Sequence, residues 1–342
     1  MSNYPRTLLE SQTLFPDEAA CLRYLEHTRW PEGFECPSCN QKEIPWRHKT
    51  RPRILECRKC SHQVSLTAGT IMHRTRQPLQ VWFWAAYLTT TQTPGLSALQ
   101  FQRQLGIKRY ETALLILHKI RAAMVRPDRD QIGVEWPVEV DETYVGGKTQ
   151  GEGKGRHHKS LVLGMVEVIP RNKVTEPDSN IPSGQRPQHQ GGHGHGFIAG
   201  RLRLELIPNR KQETLEAIVS ANVSKKAEVR TDGWVGYNGL NKLKYNHKAV
   251  AICSDQVKTD QHLPMNHIVF GNLDAWLLGT HHGVSSAHLQ GYLNEYVFRF
   301  NRRYWPMVGF ESVLKIAVQA KPETEQKFYE NARIRSHSSN MF

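Results

Sequence analysis

The chain has 342 residues, 39% of them hydrophobic, which is enough for two or three domains with cores of their own. Lys and Arg outnumber Asp and Glu by 45 to 32, a formal charge of +13 with a pI near 9.5, so a polyanionic partner is expected, nucleic acid first. No apolar run approaches a membrane span and the opening Met-Ser-Asn-Tyr-Pro-Arg lacks a signal-peptide core, so neither a membrane partner nor export is expected, and the location is read as cytoplasmic.

Residues 17–28 place apolar side chains at helical spacing after an acidic start and read as one amphipathic helix. It leads into Cys36-Pro-Ser-Cys39 and Cys57-Arg-Lys-Cys60, two pairs with 17 residues between them. Two turns at that spacing can aim four thiolates at one tetrahedral ion, so Cys36, Cys39, Cys57 and Cys60 are expected to hold a structural Zn²⁺. The other two cysteines, Cys21 and Cys253, stand alone, which argues against a disulfide framework. Between the pairs, Lys42, Arg47, His48, Lys49, Arg51 and Arg53 make the segment basic and able to lie on phosphates.

Residues 78–88 are hydrophobic all round and predict a buried helix with Trp82 and Trp84 in the core. A helix over 97–105 capped by Ser97, a turn at Gly106 and a longer helix over 108–125 outline a helix-turn-helix. Lys108, Arg109 and Tyr110 stand at the start of its second helix, where such helices meet DNA; a plain helical hairpin is the alternative.

After Pro127 the pattern changes. Residues 138–145, 160–169 and 197–207 read as strands, 211–223 as a helix, and 227–231 as a fourth strand leading into Asp232-Gly233-Trp234, an α/β order. Alternation in the first strand puts Val138, Val140 and Glu142 on one face and Glu139 and Asp141 on the other, and neighbouring carboxylates invite a cation. The insert 170–196 is rich in Pro, Gly, Gln and His and predicts a loop; His189, His193 and His195 could hold a metal or simply face solvent. From 266 the chain is helical again, to 278 and then over 285–300, closing on Arg299-Phe300-Asn301-Arg302-Arg303, a cluster suited to capping the helix or gripping phosphate. The stretch from 323 onward is polar, and its last residues, which include Ser-His-Ser-Ser-Asn, are expected to be disordered.

Taken together, several motifs carry a resemblance. They are the two cysteine pairs, Thr67-Ala68-Gly69-Thr70 with the Trp-rich helix, Val140-Asp141-Glu142-Thr143-Tyr144-Val145-Gly146-Gly147-Lys148, Thr231-Asp232-Gly233, and Tyr292-Leu293-Asn294-Glu295 with the Arg cluster. From about Phe15 to Arg303 the chain resembles the zinc-ribbon transposases of bacterial insertion sequences. The resemblance implies an α/β, ribonuclease-H-like catalytic domain of the DDE group, preceded by a zinc ribbon and a helix-turn-helix-like segment. The expected partition is 1–76 for the first helix and ribbon, 77–130 for the DNA-binding helices, 131–305 for the catalytic domain and 306–342 for a tail.

By the same resemblance Asp141 and Asp232 are the first two catalytic metal ligands. The third falls on His267, which makes this a DDH variant; Glu295 is a further acid, equally suited to pairing with the Arg cluster. Where the family usually carries a Lys seven residues on, this chain has Asp274, an anion in place of a phosphate-holding cation. The implied chemistry is phosphodiester cleavage and strand transfer by two Mg²⁺ or Mn²⁺ ions about 3.5–4 Å apart. The implied partners are double-stranded DNA at the terminal inverted repeats and in the target, touched by Lys108, Arg109, Arg299, Arg302 and Arg303, with at least a homodimer needed to pair two ends. A non-catalytic DNA-binding regulator or decayed transposase copy, favoured by Asp274 and by the His third ligand, and a stand-alone structure-specific nuclease are the competing readings.

Overall fold

The structure is a computed structural model and describes residues 5, 7–125, 129–146, 159–170, 196–250 and 262–319. His189, His193 and His195 of the insert, Cys253 and the polar residues from 323 onward lie outside the described residues. The chain divides into two compact units, one running up to Arg126 and resuming at Trp305, the other from Pro127 to Tyr304.

The first unit opens with α1 (Leu8–Leu14) and α2 (Glu18–Arg29). Asp17 caps α2 by accepting the Ala20 N–H at 2.8 Å, and Glu18 accepts the Leu79 N–H at 2.6 Å and the Arg53 Nε–H at 2.9 Å. One carboxylate thereby ties three segments together. A small antiparallel sheet follows, β1 (Trp46–Arg47), β2 (Ile54–Glu56) and β3 (Gln63–Ser65), and Arg29 reaches across to the carbonyls of Ser65 and Leu66 at 3.0 and 2.9 Å. The apolar run forms α3 (Leu79–Thr91), in which Trp82 is buried and Trp84 only half-buried. In α4 (Ala98–Leu105), Ser97 Oγ accepts the Gln100 N–H at 3.2 Å, and Gly106 ends the helix at φ 62°, a left-handed conformation suited to glycine. The following helix, α5 (Tyr110–Ala122), starts two residues later than its sequence pattern predicts, because Arg109 is extended at φ −117°, ψ 133°.

The second unit is built on a five-stranded sheet. In chain order its elements are β4 (Val138–Val145), β5 (Ser160–Pro170), β6 (Phe197–Ile207), α6 (Gln212–Asn222), β7 (Glu228–Asp232), β8 (Asn246–Val250), α7 (Pro264–His281) and α8 (Ser286–Phe300). The spatial order is β6-β5-β4-β7-β8, with β4, β5 and β6 antiparallel and β4, β7 and β8 parallel. Strand β8 had no counterpart among the predicted elements: its Asn-His-Lys-Ala-Val is neither alternating nor buried, and only the ladder to β7 makes it a strand. Val138, Val140, Leu163 and Met165 pack on one face with Leu215 and Val219 of α6. Val162, Val166, Leu202 and Leu204 pack on the other with Val269, Phe270 and Leu273 of α7 and Leu289 and Leu293 of α8.

The chain then returns to the first unit as α9 (Pro306–Gln319), whose Phe310 sits among Phe15, Phe83 and Tyr87 at centroid distances of 5.8, 6.3 and 6.0 Å. The segment 306–342, read from sequence as a tail, therefore begins with a core helix. Its apolar residues Phe310, Val313, Leu314 and Ala317 are buried, a periodicity that a polar C-terminal composition obscures.

One close approach decides how far α7 descends on the sheet. Gly164 of β5 lies opposite Asp141 of β4, and a Cβ there would stand 2.6 Å from Cε1 of Phe270 and 3.0 Å from Oδ1 of Asn266, both on α7. Gly164→Ala should cost about 1–3 kcal/mol of stability, the range for overpacking a filled core. Chemical denaturation of the variant against wild type measures it, with a native-like midpoint counting against the contact.

Candidate functional site

Two constellations stand out, one in each unit. In the first, hairpin turns at both cysteine pairs converge: Cys36 and Cys60 Sγ are 3.6 Å apart, as are Cys39 and Cys57 Sγ, and all four sulfurs lie within 4.8 Å of one another. A tetrahedron with arms of about 2.3 Å has edges near 3.8 Å, so the spacing suits Zn²⁺. Burial pushes the Cys36 thiol up, but the backbone N–H groups of Ser38 and Cys39 and the adjoining thiols overcome that and hold it down to about 6. At Cys39 the Gln41 N–H pulls the other way from burial and the adjoining thiols, which push that thiol up to about 12, so the crowded sulfurs do not ionise alike.

In the second unit, β4 and β7 run parallel with Val138 opposite Val229 and Glu139 opposite Arg230. Carried two residues on, the same register sets Asp141 abreast of Asp232 at the end of β7, on strands about 4.8 Å apart. Burial, the Glu142 carboxylate and then Asp232 push the Asp141 carboxyl up to about 7. Like charges are being held together against repulsion, which a divalent cation would relieve.

Glu139, on the same face of β4 two residues before Asp141, is fully buried and does other work. Its Oε2 accepts the N–H groups of Met265 and Asn266 at 2.9 and 3.0 Å, capping the first turn of α7. His267 is the next residue, half-buried, so the helix that carries it is fastened to the strand that carries Asp141. Asn266 is fully buried with neither side-chain polar atom hydrogen-bonded, and its Oδ1 lies beside Gly164, the ladder partner of Asp141.

Glu142 points to the opposite face, where its carboxylate accepts the Tyr237 hydroxyl and pairs with Arg210. Burial, followed by Glu142 and the two aspartates, raises the Tyr237 hydroxyl well above its ordinary value, so it stays a donor. Arg210 also stacks over the Trp234 ring at 4.4 Å, and Trp234 N–H donates to Asp232 Oδ1 at 3.1 Å. The second aspartate is thereby braced by its own turn.

A protein-family comparison places this geometry. Residues 133–301 match the ISXO2-like transposase domain, and residues 16–63 match the transposase zinc-ribbon domain. The chain belongs to the ISXO2-like transposases. No curated protein matches it. Three antiparallel strands followed by two parallel ones are the ribonuclease-H-like arrangement that the resemblance implied, and the four clustered cysteines fit the ribbon's zinc.

The other site residues of the transposase fall out as follows. Among the described residues, the four cysteines form the one group of three or more potential ligands drawn this close; Asp141, Asp232 and His267 are not so closed. The hard oxygen donors of the aspartates, Asp141's raised carboxyl and the unpaired Asn266 amide beside it nevertheless suit Mg²⁺ or Mn²⁺. At Asp274, desolvation raises the carboxyl and the Lys159 ammonium draws it partway back. Among the described helices, none is long and apolar enough to cross a membrane.

Lys108, Arg109 and Tyr110 are all exposed at the start of α5. The closing Arg cluster is largely spent inside the fold. Arg303 donates to Phe300 O at 2.8 Å and to Ala199 O, the capping role of the two its sequence allowed, and Arg302 lies over the Phe298 ring at 3.8 Å. Glu295 is fully buried and pairs with Arg299 at 3.6 Å, one turn along α8, so it acts as the salt-bridge partner. Sequence reasoning missed the capping role of Glu139, the Glu142–Tyr237–Arg210 set and the Arg210–Trp234 stack. Only the first left a trace, an acid on the buried face of an apolar strand.

Two outcomes are expected. The Glu139 carboxyl is raised to about 7 from 4.5, chiefly by burial, so its ionisation costs more in the folded chain than in the unfolded one. Its contribution to stability is complete below pH 4.5, declines as pH rises to about 7 and stays lost above that. Glu139→Gln keeps the acceptor and removes the charge, so its gain over wild type should grow by on the order of 1–3 kcal/mol between about pH 5 and about pH 8. Calorimetric melting at both pH values reads this; a pH-independent difference would contradict it. Cys57→Ser should lower bound zinc below one equivalent by metal analysis and unfold the ribbon, seen as loss of amide-exchange protection in β2 and β3.

Proposed function

We propose that this transposase cuts DNA at the terminal inverted repeats of its insertion sequence and joins the freed 3′-hydroxyl ends to target DNA. Asp141, Asp232 and His267 are assigned to hold two Mg²⁺ or Mn²⁺ ions. The observation that carries the reading is the parallel β4–β7 register, which brings Asp141 and Asp232 abreast at the same end of the sheet.

When bound, the ions would activate the attacking oxygen and stabilise the leaving 3′ oxygen. The chain's own part is placement. Asp141 must give up its proton before it can ligate, and with its carboxyl pushed up to about 7 its readiness falls as the pH drops below that point. Glu139 fixes the start of α7, and with it the backbone of His267, relative to β4. Tyr237 and Arg210 hold Glu142 on the far face, which keeps a third carboxylate from competing for the ions. The exposed Lys108 and Arg109 are assigned to the terminal repeats, and the basic ribbon to sequence-independent phosphate binding. Pairing two ends requires at least a dimer.

Asp274 favours a second reading, a DNA-binding regulator that no longer cuts. A labelled duplex carrying the element's own end separates the two. Wild type should cleave and join it with Mg²⁺ or Mn²⁺, Asp141→Asn and Asp232→Asn should lose both reactions, and His267→Ala should lose at least about 10-fold, in keeping with the sensitivity of metal sites to their supporting ligands. Tight binding of the end without cleavage under either metal would establish the regulator instead.

A further inference from the structure

The turn that follows Asp232 builds a cavity that none of the assigned roles uses. Trp234 Nε1–H donates to Arg210 O at 3.2 Å, and the Arg210 guanidinium covers one side of the ring at 4.4 Å. Gly236 makes this packing possible, since a Cβ there would stand 2.8 Å from both Arg210 O and Trp234 Nε1. The indole is thus fixed by two hydrogen bonds, through its backbone to Asp232 and through its ring to Arg210, and by a cation stack. Yet Trp234 is 39% exposed and the adjacent Val235 63% exposed. They border an open cavity of about 600 Å³, lined also by Arg210, Lys211, Gln212 and Asn238.

A rigid, partly exposed indole beside an apolar side chain offers a stacking surface that every base can use. Asn238 offers amide donors and an acceptor for a base edge, Gln212 offers its amide oxygen while its Nε2 donates to Glu216 at 2.7 Å, and Lys211 offers a cation for the adjoining phosphate. The cavity lies next to the candidate cutting site at the end of β7, because Trp234 is two residues from Asp232 and its backbone N–H donates to Asp232 Oδ1; Arg210, its other wall, pairs with Glu142 on the opposite face of β4. We propose that it takes an unstacked nucleobase from the DNA strand whose scissile phosphate lies at Asp141 and Asp232. This rests on the transposase reading: a strand drawn into two-ion geometry at the end of the sheet has its neighbouring base pulled from the duplex, and Trp234 replaces the stack it loses.

The test uses the full-length zinc-loaded protein and duplexes bearing the element's own end, either fully paired or with a single mismatch stepped through the positions flanking the scissile phosphate. Wild type should bind tighter when the mismatch falls at one particular position, where unpairing is already done, and its tryptophan fluorescence should be quenched on binding. Trp234→Ala should bind the paired end about 5- to 150-fold more weakly, the loss of one base–aromatic stack, and should lose the mismatch preference. Trp234→Phe should recover most of both. Val235→Asp, at an exposed position where folding is not at stake, should show the same loss as Trp234→Ala. If wild type prefers the element's end but Trp234→Ala and Val235→Asp match it on every duplex, the proposal is overturned while the transposase reading stands. If wild type shows no preference for the end over an unrelated duplex, both are overturned.

Discussion

Two carboxylates held abreast on adjoining parallel strands repel each other, and much of the second unit can be understood as the means of keeping them there. The backbone ladder between β4 and β7 pairs Val138 with Val229 and Glu139 with Arg230, and that register, carried two residues on, is what sets Asp141 level with Asp232. Apolar packing on both faces of the sheet holds the ladder flat against its helices. Burial first, then the Glu142 and Asp232 carboxylates, push the Asp141 carboxyl up.

The neighbouring acids show how a fold sorts similar side chains into different tasks. Glu139, Asp141 and Glu142 lie within four consecutive residues, and each meets a different environment. Glu139 is sealed under the first turn of α7, where backbone N–H groups take its lone pairs. Glu142 is turned to the other face and neutralised by Arg210 and Tyr237. Asp141 is left under the charges of both Glu142 and Asp232. The missing side chain at Gly164 belongs to the same arrangement, since it lets α7 settle over the strand pair that presents Asp141.

Much of this was legible in the sequence, and the divisions have physical reasons. The cysteine spacing, the strands over 138–145 and 197–207, and the Ser97 and Gly106 helix ends are set by local chemistry, and each appears where the pattern places it. Strand β8 was not legible, because an exposed edge segment carries no alternation and is made by pairing alone. Helix α9 was hidden at the start of a segment whose remainder is polar, and its packing partners lie more than two hundred residues earlier in the chain. The roles of Glu139, Glu142 and Arg303 depend on which backbone groups a distant element brings within reach. Residue type and spacing hold no record of that.

The hairpin of β5 and β6 has a further meaning for how such a protein can change. Its outermost rung pairs Pro170 with Phe197, and the long His- and Gly-rich insert is strung between those two residues. Asp141 and Asp232 are aligned by a different ladder on the other side of β4, so the length of the insert does not enter their alignment. Additions or losses between 171 and 195 are absorbed at one rung of an antiparallel pair. The chain can thus acquire or shed sequence there during descent, while the spacing of its acidic pair is inherited unchanged.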